Sequence, residues 1–258
     1  MFQGARVAVV VPAFNEADKI ALTVRSVPGF VDDVIVVDDG SGDGTGAEAR
    51  ASRQGARLEV VIHPENRGVG AAIATGYARA VARGADVVAV MAGDGQMDPT
   101  DLPRLLAPIV DGRADYVKGN RLAWPGGWRR FPLVRLTGSV VLSWLTRFAT
   151  GYRHLFDSQC GYTAASRRAL LAARPEQMYP RYGYPNDLLS RLADVGARVL
   201  DVPVRPVYGG AWRSGLRPWR VAWPLSRILL RGFARRLSRR RHPPPVLGRE
   251  PPRCESAS

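Results

Sequence analysis

The chain has 258 residues, 46% hydrophobic and 23% charged, with 27 Gly, 20 Pro and a formal net charge of +14. That suffices for one substantial core and excludes a disordered chain, a collagen-like repeat and a disulfide scaffold. The two cysteines, Cys160 and Cys254, lie far apart, suggest neither a disulfide framework nor a zinc cluster, and argue for a reducing compartment.

The first element is a strand. Val7–Val11 is apolar and β-branched, and so are Val34–Val37, Leu58–Ile62 and Val87–Met91, as expected of parallel strands covered on both faces. Helices are expected between them. Ile20, Val24 and Val27 follow a cap at Asn15; Val69, Ile73, Gly76, Tyr77 and Ala80 form a second stripe. Leu102, Leu105, Leu106 and Ile109 form a third, entered through Asp98-Pro99. Residues 119–133 read as a loop rich in Gly, Trp and Arg. A helix carrying Val134, Gly138, Val141, Leu145 and Phe148 follows, then a helix over Asn186–Val195 and a strand over Val199–Val204. Alternation of this kind predicts an α/β fold, doubly wound around a mostly parallel, Rossmann-like sheet. No run of roughly 18 uncharged apolar residues predicts a membrane-spanning helix. The N-terminus lacks the charged start and cleavage site of a secretory signal, so a cytoplasmic location is expected.

Ligands of open α/β sheets bind beyond the carboxyl ends of the strands. Each early strand here runs into polar residues at that end: Pro12-Ala13-Phe14-Asn15-Glu16, Asp38-Asp39-Gly40-Ser41, Asn66-Arg67-Gly68-Val69-Gly70 and Ala92-Gly93-Asp94-Gly95-Gln96-Met97-Asp98. One such cluster is ordinary turn chemistry. Four on one sheet edge point to a site.

Together these segments resemble family 2 glycosyltransferases of the GT-A fold, and among them the dolichol-phosphate-mannose-synthase type that glycosylates a polyprenyl phosphate. The resemblance covers about residues 5–208. It implies that Pro12, Glu16, Asp39 and Asp38 contact the base and ribose of a nucleotide-sugar donor (UDP- or GDP-sugar). Asp94 matches the metal-binding Asp of the family's Asp-x-Asp motif, whose first acidic position is Ala92 here. Asp94 then holds Mg²⁺ or Mn²⁺ alone or with Asp98 or Gln96, Gln96 also being counted toward the substrate, and Asp98 reads equally well as a helix cap. Gly68 and Gly70 either present backbone N–H groups to phosphate or simply make a tight helix entry. Arg121, in Lys118-Gly119-Asn120-Arg121, resembles the family's Gly-x-Arg segment and either grips phosphate bidentately or lies on the surface.

Asp157-Ser158-Gln159-Cys160-Gly161-Tyr162 matches a loop shaping the sugar and acceptor site, and Cys160 reads as packing. Asp187 stands where the family commonly has the second acid of Glu-Asp, Asn186 replacing the first; it is a catalytic base or an N-cap. Family analogy implies inversion at the anomeric carbon in one displacement. A sugar-hydroxyl acceptor, or a catalytically reduced nucleotide-sugar- or membrane-binding module, remain the alternatives. The lack of a Gly-rich, Lys-containing loop after the first strand argues against a nucleotidyltransferase.

The charge is lopsided: residues 205–258 hold 13 Arg against Glu250 and Glu255, beside a near-neutral body. The expected organisation is a catalytic domain over 1–210, a basic amphipathic segment over 211–242 and a disordered tail over 243–258. Trp212, Trp219 and Trp223 are interleaved with Arg213, Arg217 and Arg220. From Trp223 on, Leu225, Ile228, Leu229, Phe233 and Leu237 share one helical face, and Arg227, Arg231, Arg235 and Arg239 another. Like charges so spaced disfavour a helix in water, and an anionic membrane surface removes that cost. Peripheral binding to the inner face of the membrane is therefore expected, with a second contact through Trp124, Trp128, Arg129, Arg130 and Phe131. Packing on the protein's own body is the rival reading, and nucleic acid the weakest.

Overall fold

The computed structural model describes residues 1–52, 57–127, 133–207, 218–241 and 247. Val7–Ala13 forms β1, buried along its whole length, and its side chains divide by parity. Val7, Val9 and Val11 enter one apolar cluster with Ile20 and Val24 of α1 (Ala17–Ser26), Ala49 of α2 (Thr45–Ala51) and Leu102, Leu105, Leu106 and Ile109 of α4 (Leu102–Val110). Ala8 and Val10 enter the other, against Ala72, Ile73, Tyr77 and Ala80 of α3 (Val69–Ala82), Leu170 of α6 (Arg167–Ala173) and Leu188, Leu189 and Leu192 of α7 (Tyr184–Asp194). Helices on both faces explain why the strand reads as a continuous valine run. Each fully buried valine contributes ~1.5–3 kcal/mol.

The sheet has seven strands in the order β3-β2-β1-β4-β6-β5-β7. β2 (Asp33–Asp38), β3 (Arg57–Ile62) and β4 (Val87–Val90) pair in parallel around β1, and β5 (Tyr116–Asn120) pairs in parallel with β7 (Val199–Pro203). β6 (Thr163–Ser166) runs antiparallel between β4 and β5. The sequence reading missed β6, α2 and α6, which are short and rich in Ala, Ser and Thr. It also expected β3 to be covered on both faces. β3 is instead an edge strand, partly exposed along its length, with one neighbouring strand and Ile62 facing solvent.

The α3–β1 contact depends on a glycine. A Cβ placed on Gly76 would lie 2.2 Å from Cγ1 of Val10. Gly76→Ala should therefore lower stability by ~1–3 kcal/mol despite alanine's better helix propensity. Adding Val10→Ala should recover part of that loss; strictly additive changes in a thermal-melt double-mutant cycle would refute the contact.

The expected helix is α5 (Leu133–Thr150). Its apolar stripe points outward: Val141, Trp144, Leu145 and Phe148 are exposed, while Ser139, Ser143, Thr146 and Thr150 are buried. The hydroxyls of Ser143, Thr146 and Thr150 satisfy themselves on carbonyls one turn back, at 2.7–2.8 Å. The long basic helix α8 (Pro218–Arg241) packs against α5 and α7. Ile228, Gly232 and the guanidinium groups of Arg235 and Arg239 face the body, the latter two 3.0 and 3.1 Å from Asp194. Half of the expected arginine stripe is thus tied down inside the molecule, as the rival packing reading requires. Arg227 and Arg231 remain exposed, together with Trp223, Leu230, Phe233 and Leu237. Among the described residues no helix is long and apolar enough to cross a membrane. Trp212, Arg213, Arg217, residues 128–131 and, apart from 247, the tail over 243–258 lie outside the described residues, as do the side chains of Trp219 and Arg220.

Candidate active site

The strand order reverses between β1 and β4, the point beyond whose carboxyl ends open α/β sheets place their ligands. Two loops are tied to the end of β1 by consecutive carbonyls. The Asp39 amide donates to Ala13 O at 2.9 Å, and the Gly93 amide donates to Pro12 O at 3.0 Å. Asp39 and Asp94 are thereby brought to the same rim, on either side of β1.

The Asn15–Glu16 loop is laced to the loop after β2. Asn15, at φ +54°, donates its amide to Ser41 Oγ and accepts from the Gly42 amide. The amides of Glu16 and Ala17 donate to Thr45 Oγ1 and Asp43 Oδ2. Asn15 is therefore a brace between loops and not the expected cap. Glu16 occupies the N-cap of α1 without a side-chain capping bond, its carboxylate accepting instead from Lys19 Nζ at 2.8 Å. Asp38 turns inward and accepts from the Ser41 amide at 3.0 Å.

Asp39 is buried and holds the next loop. Oδ1 lies 2.7 Å from His63 Nδ1 and accepts from the Arg67 amide at 3.0 Å, while Oδ2 accepts from the Gly68 amide at 2.7 Å. Thr75 Oγ1, 3.0 Å from His63 Nε2, completes a chain in which Nδ1–H donates to Asp39. Of roughly four acceptor positions on the carboxylate, three are in use.

The entry to α3 departs from the phosphate-cradle reading. The Gly68 amide is engaged by Asp39, and the Ala71 amide donates to Pro180 O at 3.1 Å. A Cβ on Gly68 would lie 2.5 Å from Pro180 O, and one on Gly70 2.5 Å from Tyr179 O. These glycines admit the close approach of the Tyr179–Pro180 backbone, as the tight-entry reading requires.

Asp94 is half-buried and accepts a hydrogen bond from the Gln96 amide at 3.0 Å. Burial above all, with the nearby Glu16 charge, pushes its carboxyl above the usual range, against the Gln96 amide and the Lys19 charge. A desolvated carboxylate to which, among the described residues, no side-chain cation is bonded fits a divalent ion completed by phosphate oxygens. Among the described residues no three His, Cys, Asp or Glu side chains form a ready-made metal cluster. Asp98 caps the short turn at Pro99–Asp101: Oδ1 accepts from the Thr100 amide at 2.9 Å and hydroxyl at 2.6 Å, and Oδ2 lies 3.2 Å from Arg205. Burial would raise its carboxyl, but the Thr100 bonds and the Arg205 charge outweigh it and hold it below the usual range. The cap reading of Asp98 is therefore realised. Arg205, which sequence reasoning did not single out, also stacks over Trp124, with Arg104 against the same ring.

Arg121, read as a phosphate ligand or a surface residue, meets a protein carboxylate. Its Nε and Nη2 contact the two oxygens of Asp157 at 2.7 and 2.8 Å. Asp157 is fully buried at φ +46°, and its carbonyl accepts from the buried Lys118 ammonium. Burial would raise the Asp157 carboxyl, yet the Arg121 bonds and charge, with Lys118, hold it below the usual range. Asp201, opposite Lys118 in the β5–β7 ladder, goes the other way: burial pushes it up to about 6. Its Oδ2 fixes the Phe156 amide at 2.6 Å. Burial also raises the Cys160 thiol, in keeping with a packing role.

Asp187 lies in the first turn of α7 but is not its N-cap, which is Gly183. Its Oδ2 accepts from the Tyr179 amide at 2.9 Å and Arg191 Nε at 3.1 Å, so it anchors the segment pressed on α3. Asn186 is buried, accepting from Gln159 Nε2 at 2.7 Å.

Comparison with known proteins gives these loops a common history. The model of glycosyl transferase family 2 matches residues 8–172, spanning all the loops that meet at the end of β1. The chain belongs to glycosyl transferase family 2. It is an α/β glycosyltransferase of the GT-A fold, and its relatives include polyprenyl-phosphate sugar transferases. It is 29% identical over 213 residues to a UDP-N-acetylglucosamine–dolichyl-phosphate N-acetylglucosaminyltransferase of Methanococcus voltae, covering 77% of this chain and 84% of the relative. It is 33% identical over 204 residues to an undecaprenyl-phosphate mannosyltransferase of Micrococcus luteus, covering 77% and 82%. Among solved structures it resembles glucosyl-3-phosphoglycerate synthase of Mycobacterium tuberculosis in complex with Mn²⁺, UDP and phosphoglyceric acid. The TM-score is 0.63 at 27% identity, over 92% of this chain and 78% of that one.

Proposed function

We propose that this glycosyltransferase moves a sugar from a nucleotide-sugar donor to polyprenyl phosphate, with inversion in one displacement, at the cytoplasmic face of the membrane. The observation that carries the donor half is the meeting of the Asp39 and Asp94 loops on the Pro12 and Ala13 carbonyls. In this reading Pro12, Glu16 and Asp39, with Asp38 shaping the turn, line the nucleoside end, and Asp94 and Gln96 the diphosphate end. A Mg²⁺ or Mn²⁺ ion held by Asp94 would offset the charge of the departing diphosphate. Asp157 fixes Arg121 and its loop beside the acceptor, and the chain's share of catalysis is placement and charge stabilisation.

A lipid phosphate is favoured over a sugar hydroxyl by the state of Asp187. Its Oδ2 holds Tyr179 and Arg191, whereas a hydroxyl acceptor needs a carboxylate poised to take its proton. A phosphate monoester, with its second pKa near about 6, is already ionised at neutral pH. Asp187→Asn should accordingly keep transfer to polyprenyl phosphate within about tenfold, whereas loss of a general base costs ~10²–10⁴-fold. Initial rates with UDP- and GDP-sugars, Mn²⁺ and short-chain polyprenyl phosphate, scored for lipid-linked product, test both statements. Transfer only to sugar hydroxyls, dead in Asp187→Asn, would replace this reading.

A further inference from the structure

Helices α5 and α8 present an apolar face that the catalytic crevice does not use. On α5, Val140, Val141, Trp144, Leu145 and Phe148 are exposed; on α8, Leu230, Phe233 and Leu237 are exposed beside them. The polar side of α5 is the buried one, so the outward direction of its apolar stripe is built into the packing. A patch of this extent is beyond the scattered apolar residues of an ordinary surface. Between the helices runs a groove of about 450 Å³ lined by Trp144, Arg147, Phe148, Arg153, Phe233, Arg236 and Leu237. Among the described residues no acidic side chain lines it. The Arg147 guanidinium lies 5.0 Å from the Trp144 ring and 4.6 Å from Phe156, and Arg236 covers Phe148 at 5.9 Å. Cations are thereby held at the mouth of an apolar trough.

We infer that this α5–α8 face is the membrane-docking surface, its groove seating one anionic phospholipid of the bilayer. The inference rests on the lipid-acceptor reading above and adds the surface that sequence alone assigned to α8 and the Trp124 loop. The chemistry commits it to a bilayer lipid. Aromatic and leucine side chains take the acyl chain, and three arginines meet the headgroup phosphate, as in interfacial helices. The acceptor's own phosphate must reach the crevice at the ends of β1 and β4, so it is not the group bound here.

Vesicle co-sedimentation of the full chain tests this. Wild type should partition onto phosphatidylcholine–phosphatidylglycerol vesicles more than onto phosphatidylcholine alone. Phe148→Asp should weaken partitioning roughly tenfold or more, and Arg153→Ala about fivefold on the anionic vesicles only. Leu171→Asp, an exposed leucine on α6, should change nothing. Phe148→Asp should also keep wild-type activity toward a water-soluble short-chain acceptor, which separates docking from catalysis. Wild-type binding that survives Phe148→Asp and Arg153→Ala would overturn the groove and leave the membrane reading standing. Wild type that binds no vesicle overturns both the groove and peripheral attachment, while short-chain transfer still decides the chemistry. A dimer in light scattering that Phe148→Asp dissociates, without vesicle binding, would give the face to a second copy of the chain.

Discussion

Asp94→Asn should abolish donor turnover and at the same time make the protein more stable at neutral pH. The first effect follows from the proposed function, in which Asp94, in the loop after β4, stands at the diphosphate end of the donor. Removing one preorganised charge partner at a reacting centre costs about 10²–10³-fold or more. The second follows from burial, which raises the Asp94 carboxyl in the folded state, helped by the Glu16 charge. A carboxyl whose folded pKa exceeds its unfolded value contributes stability below the unfolded value, and that contribution is lost as pH rises through the folded value. At pH 7 the ionised wild type bears this penalty and the asparagine variant does not. The melting temperature of Asp94→Asn should therefore exceed that of wild type at pH 7, and the gap should close as pH falls into the carboxylate range. Melting curves across pH, beside initial rates with and without a chelator, check both halves. Full activity in the variant, insensitive to chelation, would remove Asp94 from the chemistry.

Asp157→Ala should be the most destabilising single change near the site. The carboxylate is fully buried, with both oxygens on the Arg121 fork. Truncating one partner of a buried pair leaves the other charge uncompensated and costs about 3–5 kcal/mol. The reciprocal Arg121→Ala should cost a similar amount. Replacing both by apolar residues of like volume, Arg121→Met with Asp157→Leu, should recover much of the loss, because the desolvation penalty goes with the charges. The pH sign is opposite to that of Asp94. Arg121 holds the Asp157 carboxyl low against its burial, so its contribution is present above the unfolded carboxylate pKa and disappears as pH falls through the lower folded value. Neighbouring Asp201, pushed up to about 6, contributes below the usual carboxylate range and loses that contribution as pH rises through about 6. Denaturant titrations at several pH values should show the acid-side slope shrinking in Asp157→Ala. An unchanged midpoint would mean that the pair does not hold the loop.

Much of the frame was legible because it is written in local chemistry. Continuous valine runs set the parallel strands, apolar residues at helical spacing set α1, α3, α4 and α7, and polar turns after β1, β2, β3 and β4 marked the carboxyl rim. The motif residues at that rim carried the family resemblance, and the family match bears it out.

Other assignments needed the folded chain. Periodicity showed that α5 has an apolar stripe but not that the stripe faces outward, since that depends on which neighbours cover the helix. Arg121 read as a phosphate ligand or a surface residue because Asp157, 36 residues on, becomes its partner only when the loop before β6 folds over the end of β5. Sequence left Gly68 and Gly70 open between an anion cradle and a tight helix entry because the Tyr179–Pro180 backbone that meets them lies more than 100 residues later. Sequence by itself determined the period of each element and the chemistry of each turn, because both arise within a few residues. Tertiary structure decided which charged groups are paired and which faces stay open, because burial and Coulombic pairing are set by distances between segments remote along the chain.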